Sequence, residues 1–159
     1  MKRTLSVLVN NRSGVLARVA SLFSRRGYNI ESIAVGVTDD PEVSRMTIQV
    51  IADEATFEQI TKQLHKLIDV IKISDITSDE RVDRELALIR ISADSSNRSD
   101  ILQVVGIFRA KIVDVAEKSI IVEVTGDEGK IEAFVQLARR YGIIEIVRTG
   151  KVSMVRGSK

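Results

Sequence analysis

LSVLVNNRSGVLARVASLFSRRGYNIESIAVGV, residues 5–37, decides the fold. Leu5, Val7 and Val9 alternate with Ser6 and Leu8, the period of a strand, and Asn10 to Gly14 interrupt the run. Val15, Val19, Leu22 and Phe23 then recur at helical spacing as one apolar stripe, and Gly27 is placed to end that helix in the left-handed conformation. Ile30 to Val37 returns to a strand, with Ile33, Val35 and Val37 on one face. Asp39, Asp40 and Pro41 turn the chain back into a third strand, Ser44 to Ile51. A second helix follows Asp53, its N-cap, with Phe57, Ile60, Leu64 and Leu67 on one stripe. Val70 to Ile76 completes the order βαββαβ.

Residues 77–84, TSDERVDR, are polar and charged, as a domain boundary should be. The order then repeats. Leu86 to Ala93 reads as a strand, and Ile101, Val104, Val105 and Phe108 mark a helix behind an SSNRSD loop. Ile112 to Val115 and Ile120 to Thr125 read as strands joined by a turn at Glu117 to Ser119. Ile131, Phe134, Val135 and Ala138 mark the last helix, and Ile143 to Val147 the last strand. These signals predict an α+β protein of two ferredoxin-like βαββαβ domains in tandem, residues 1–77 and 84–159, each with both helices on one face of its sheet and the other face bare. An isolated unit of this size buries a marginal core, so two units packed within the chain, or pairing between chains, are expected.

The chain has 159 residues, with 20 Val and 20 Ile, a composition suited to strands. No Cys and one His exclude a disulfide framework, a thiol nucleophile and a two-histidine metal site. A net charge of +2 gives no nucleic-acid face by charge alone. The third strand, SRMTIQVI, lacks the aromatic rings that stack RNA bases. No apolar run is long enough to cross a membrane, and the first breaks at Asn10, too early for a signal peptide, so a cytoplasmic protein is expected. His65 lies off its helix stripe and reads as an exposed side chain, Asp39 and Asp40 as a solvated turn, and GDEGK (residues 126–130) as a turn and helix start lacking phosphate-loop spacing. No catalytic and no metal-ligating residue is assigned.

NNRSGV, Asn10 to Val15, lies between the first strand and the first helix. A helix N-terminus presents unpaired N–H groups and the positive end of the helix dipole, which suit a carboxylate. Gly14 lets a ligand approach the backbone, and the amide oxygens of Asn10 and Asn11 can accept from an ammonium group. An amino acid would find partners for both ends. The same residues also read as a capped turn without a ligand, Ser13 being the N-cap.

NNRSGVLARVASLFSRRGYNIESIAVG, DDPEVSRMTIQV, KQLHKLIDVIKI, IFRAKIVDV and RTGKVSMVRG together resemble the small regulatory subunit of acetolactate synthase, over essentially the whole chain. The resemblance implies an N-terminal ACT domain that binds an amino acid and an ACT-like C-terminal domain that contacts the catalytic subunit. It implies a chain that is not an enzyme by itself and carries no cofactor. Such a chain activates a large subunit holding thiamine diphosphate, FAD and Mg2+, and makes it sensitive to feedback inhibition by valine in branched-chain amino acid (valine, leucine and isoleucine) biosynthesis. The holoenzyme condenses pyruvate with pyruvate or 2-oxobutyrate. ACT domains of this kind pair as homodimers and hold the effector at the interface, which implies Asn11, Gly14 and Val15 from one chain and Asn29 and Ile30 from the other. Arg12 departs from the family pattern, where an acidic or other residue is common. The alternative expectation is a stand-alone amino-acid sensor acting on another enzyme or a transcription factor.

Overall fold

A computed structural model describes residues 1–157. The chain divides into two compact units, Met1–Val82 together with the residues from Lys151 on, and Asp83–Gly150. In the first unit the elements are β1 (Lys2–Asn10), α1 (Val15–Arg25), β2 (Ile30–Val37), β3 (Val43–Ile51), α2 (Glu54–His65) and β4 (Val70–Asp75). In the second they are β5 (Arg81–Ser92), which begins in the first unit, α3 (Arg98–Ile107), β6 (Lys111–Val115), β7 (Ser119–Gly126), α4 (Glu128–Ala138) and β8 (Ile143–Arg148). β9 (Val152–Val155) follows. The sheets run β2-β3-β1-β4 and β6-β7-β5-β8, antiparallel throughout, the ferredoxin-like order twice over.

Each unit closes its own core. Leu5, Val7 and Val9 of β1 meet the stripe Val15, Val19, Leu22 and Phe23 of α1 and Phe57, Ile60 and Leu64 of α2, all buried. Ala87, Ile89 and Ile91 of β5 meet Ile101 and Val105 of α3 and Ile131, Phe134, Val135 and Ala138 of α4. Phe23 and Phe134 anchor the two cores. The sheet face of the first unit expected to be bare carries Thr4, Ser6, Thr47 and Gln49, all buried, beside exposed Arg45 and Lys72. Arg45 Nη1 donates to Ser6 Oγ there at 2.6 Å, and the Lys151 N–H donates to Ser32 Oγ at 2.9 Å.

Two expectations are corrected. β5 starts at Arg81, inside the stretch read as a boundary, because β9 gives its early residues a partner. β9 itself, four residues long, was too short to show a period and makes a ninth strand. The last two residues of the range expected for the C-terminal domain, 84–159, lie outside the described chain. Among the described residues no helix is long and apolar enough to cross a membrane.

Candidate functional site

The loop between β1 and α1 is built around Gly14, which stands at the N-cap of α1 with φ +86° and ψ −12°. Ser13, read as a possible N-cap, does not fill that place. The left-handed backbone at Gly14 strains any residue with a Cβ. No side chain caps α1, and its first turn holds no acidic residue. By contrast Asp53 caps α2, accepting from Thr56 N at 2.7 Å, and Asp127 caps α4, accepting from Lys130 N at 2.9 Å. The Val15 N–H donates to Arg12 O at 3.4 Å and the Arg18 N–H to Gly14 O at 3.0 Å, which leaves the N–H groups of Leu16 and Ala17 uncapped at the positive end of the helix dipole.

Asn11 is exposed and fixed: its N–H donates to Glu42 O at 2.8 Å and its Nδ2 to Pro41 O at 2.9 Å, which leaves the amide oxygen available. Val15 points into the core at 3% exposure and anchors the start of α1. At the far end α1 stops as the sequence predicts. Gly27 has φ +68°, the Tyr28 N–H donates to Phe23 O at 3.0 Å, and the two rings meet edge to face at 6.1 Å. That stop sets exposed Asn29 at the entry to β2 and half-buried Ile30 as its first residue, paired with Val50.

Within one chain these two groups are not brought together. Val50 pairs with Arg3 at the start of β1, whereas Asn10 at its end pairs with Val43. Gly14 and Asn29 thus lie at opposite ends of α1, whose 11 residues span about 17 Å. β2 is an edge strand of its sheet, with Val35 and Val37 exposed.

Asp69 and Arg18 were not singled out from the sequence. Arg18 stands four positions after Gly14, on the same helix face, a signal that helix spacing offers. Asp69, in the turn before β4, offers none. The Asp69 side chain is nearly buried at 7% exposure and accepts from Arg18 Nε at 3.0 Å and Nη2 at 2.5 Å. Those bonds hold its carboxyl below the ordinary carboxylate range against the opposing effect of burial, aided by the Asn10 side chain and the charges of Arg18 and Arg12. The Asp69 carbonyl accepts the Asn10 N–H at 2.8 Å.

The other candidates fall where the residues predicted. Asp40 Oδ1 accepts the Glu42 N–H at 2.9 Å and closes the turn beside Asp39. His65 is exposed at the end of α2. GDEGK forms the end of β7 and the capped start of α4. Among the described residues no three His, Asp or Glu side chains are grouped to hold a metal.

Residues 5–72 match the family described as AHAS small subunit-like ACT domain, and residues 84–157 the family described as small subunit of acetolactate synthase. The chain is 57% identical over 159 residues to a probable acetolactate synthase small subunit of Archaeoglobus fulgidus, covering 100% of this chain and 99% of that one. It is 53% identical over 156 residues to an acetolactate synthase small subunit of Mycobacterium bovis, covering 98% and 93%. The crystal structure of an acetolactate synthase small subunit from Thermotoga maritima superposes with a TM-score of 0.91 at 43% identity, covering 100% and 99%.

Proposed function

Since the chain belongs to the acetolactate synthase small-subunit family, we propose that it is the regulatory partner of a large catalytic subunit in the cytoplasm, stimulating that subunit and making it responsive to valine. The observation that carries the valine site is the open N-terminus of α1 at Gly14, at the opposite end of the helix from Asn29. One amino acid cannot span both ends of α1. Two copies paired antiparallel along β2 would bring the Asn29 end of one against the Gly14 end of the other, and β2 is the edge strand that such pairing needs.

In that homodimer the effector carboxylate meets the uncapped N–H groups of the first turn of α1, beside Gly14 and Val15. Its ammonium meets the Asn11 or Asn29 oxygen, and its isopropyl group lies against Ile30. Valine bound between two chains favours one dimer geometry and so changes the contact made with the catalytic subunit, a coupling of roughly 1–3 kcal/mol. Thiamine diphosphate, FAD and Mg2+ belong to the catalytic subunit, and this chain performs no chemistry. The test is an assay of the catalytic subunit with and without this chain, titrated with valine. Stimulation that valine reverses is expected; no stimulation removes the proposal.

A further inference from the structure

Arg18 spends two of its three guanidinium nitrogens, Nε and Nη2, on a single oxygen of Asp69. The third, Nη1, is turned to the loop: a Cβ built on Gly14 would lie 3.2 Å from it. A guanidinium nitrogen therefore closes one side of the space that glycine leaves open at the start of α1. Its side chain is half exposed, while the carboxylate that holds it is nearly buried. Asp69 also takes the Asn10 N–H on its carbonyl, so one residue fixes both the end of β1 and the Arg18 side chain.

We propose that Arg18 is the charged side-chain contact for the effector's carboxylate and that Asp69 is the positioning residue that aims it; this rests on the reading that the carboxylate lies at the Gly14 end of α1. A guanidinium is suited to the task because its planar fork can bind Asp69 on one edge and offer the remaining N–H groups on the other. Lysine has a single point charge and cannot serve both. Holding a long side chain still before the ligand arrives removes an ordering cost from binding. A carboxylate met by both backbone N–H groups and a charged donor is distinguished from a neutral amide of the same shape, because charge-assisted bonds are the stronger class.

Calorimetric titration of the full chain with valine and with valinamide, which keeps the ammonium and isopropyl groups but loses the negative charge, tests this. The wild-type chain should prefer valine. Arg18→Gln should weaken valine by roughly tenfold or more while leaving valinamide within about twofold, so the preference collapses. Arg18→Lys should restore only part of it, and Asp69→Asn should weaken valine several-fold while its melting curve shows a folded chain. A merely structural role for the pair would weaken both ligands together and keep their ratio, which overturns the proposal. Wild-type affinity for valine in Arg18→Gln overturns the Arg18 assignment alone, whereas a wild-type chain that binds no valine overturns the effector site with it.

Discussion

The loops that precede α1 and α3 occupy the same place in two copies of one topology, after the first strand of each unit; neither helix has a side-chain cap, and the loops differ in what fills them. Before α3, Asp94 fills the loop from within. Its Oδ1 accepts from Ser96 N at 2.8 Å, Ser96 Oγ at 2.5 Å and Asn97 N at 3.3 Å, and its own N–H donates to Asn97 Oδ1 at 2.8 Å. These bonds, from Ser96 first, hold the Asp94 carboxyl below the ordinary range. Before α1 stands Gly14, in a loop (residues 10–14) with no carboxylate of its own and a guanidinium turned toward it. A loop that already holds a carboxylate repels a second one, whereas a loop without one leaves its donors for a ligand. The fold is duplicated, but the carboxylate that fills the second loop has no counterpart in the loop at Gly14.

The largest effect should come from making the first loop like the second. Gly14→Asp puts a carboxylate beside Arg18, where it would pair with the guanidinium and occupy the place proposed for the ligand, on a backbone already strained for any side chain. Valine inhibition of the reconstituted enzyme should be lost. An inhibition curve of wild-type shape would break the assignment. Next in size, Phe134→Ala removes a ring that is fully buried and meets Phe108 edge to face at 5.4 Å. It should cost about 3–5 kcal/mol in a urea melt. Valine affinity of the still-folded chain should stay unchanged, because the lost ring lies in the second unit's core. A parallel fall in valine affinity would show that the two copies are not as separable as their loops suggest.

Much of this contrast could be read from sequence, and the remainder could not, for physical reasons. The four helices were legible because each carries an apolar stripe at helical spacing, and those stripes are what the two cores bury. Asp53 and the GDEGK turn were legible because a carboxylate just before such a stripe is a strong cap signal. Gly14 was recognised as a place for close approach, but Ser13 competed for the cap, since residue type alone does not reveal a φ of +86°. β9 escaped because four residues carry no period, and its pairing with β5 joins distant parts of the chain. Asp69 escaped for a related reason: it meets Arg18 across 51 residues, and one buried aspartate in a turn looks like any solvated one until the fold places it.

A smaller effect separates the loops by pH. Asp94→Ala should lower the melting temperature at neutral pH by removing the bonds that fill the second loop. The Asp94 carboxyl is depressed in the folded chain, so its contribution is fully present above the unfolded-state value, ordinarily near 4. It is lost as pH falls through the lower folded value. Wild type and variant should therefore converge in strong acid. A difference that persists there would assign the effect to the backbone turn rather than to the carboxylate.

The smallest effect concerns the other ends of the same two helices. Gly27 and Arg109 stand two residues past the ends of α1 and α3, each left-handed, with φ +68° and +53°. The hydrogen bonds match: the Tyr28 N–H donates to Phe23 O at 3.0 Å, and the Ala110 N–H to Val105 O at 3.0 Å. Arg109 thus performs with a side chain what Gly27 performs without one, and a non-glycine residue in that conformation costs roughly 1–2 kcal/mol. Part of that cost is offset because glycine loses more backbone freedom on folding. Arg109→Gly should therefore stabilise the chain by about 0.5–1 kcal/mol in a urea melt, with an unchanged slope. Gly27→Ala should destabilise by about 1 kcal/mol and, since Asn29 lies two residues on, should also weaken valine binding, which Arg109→Gly should not. If both substitutions moved valine affinity alike, the two helix ends would be equivalent in function as well as in form, and the site could not belong to the first copy alone.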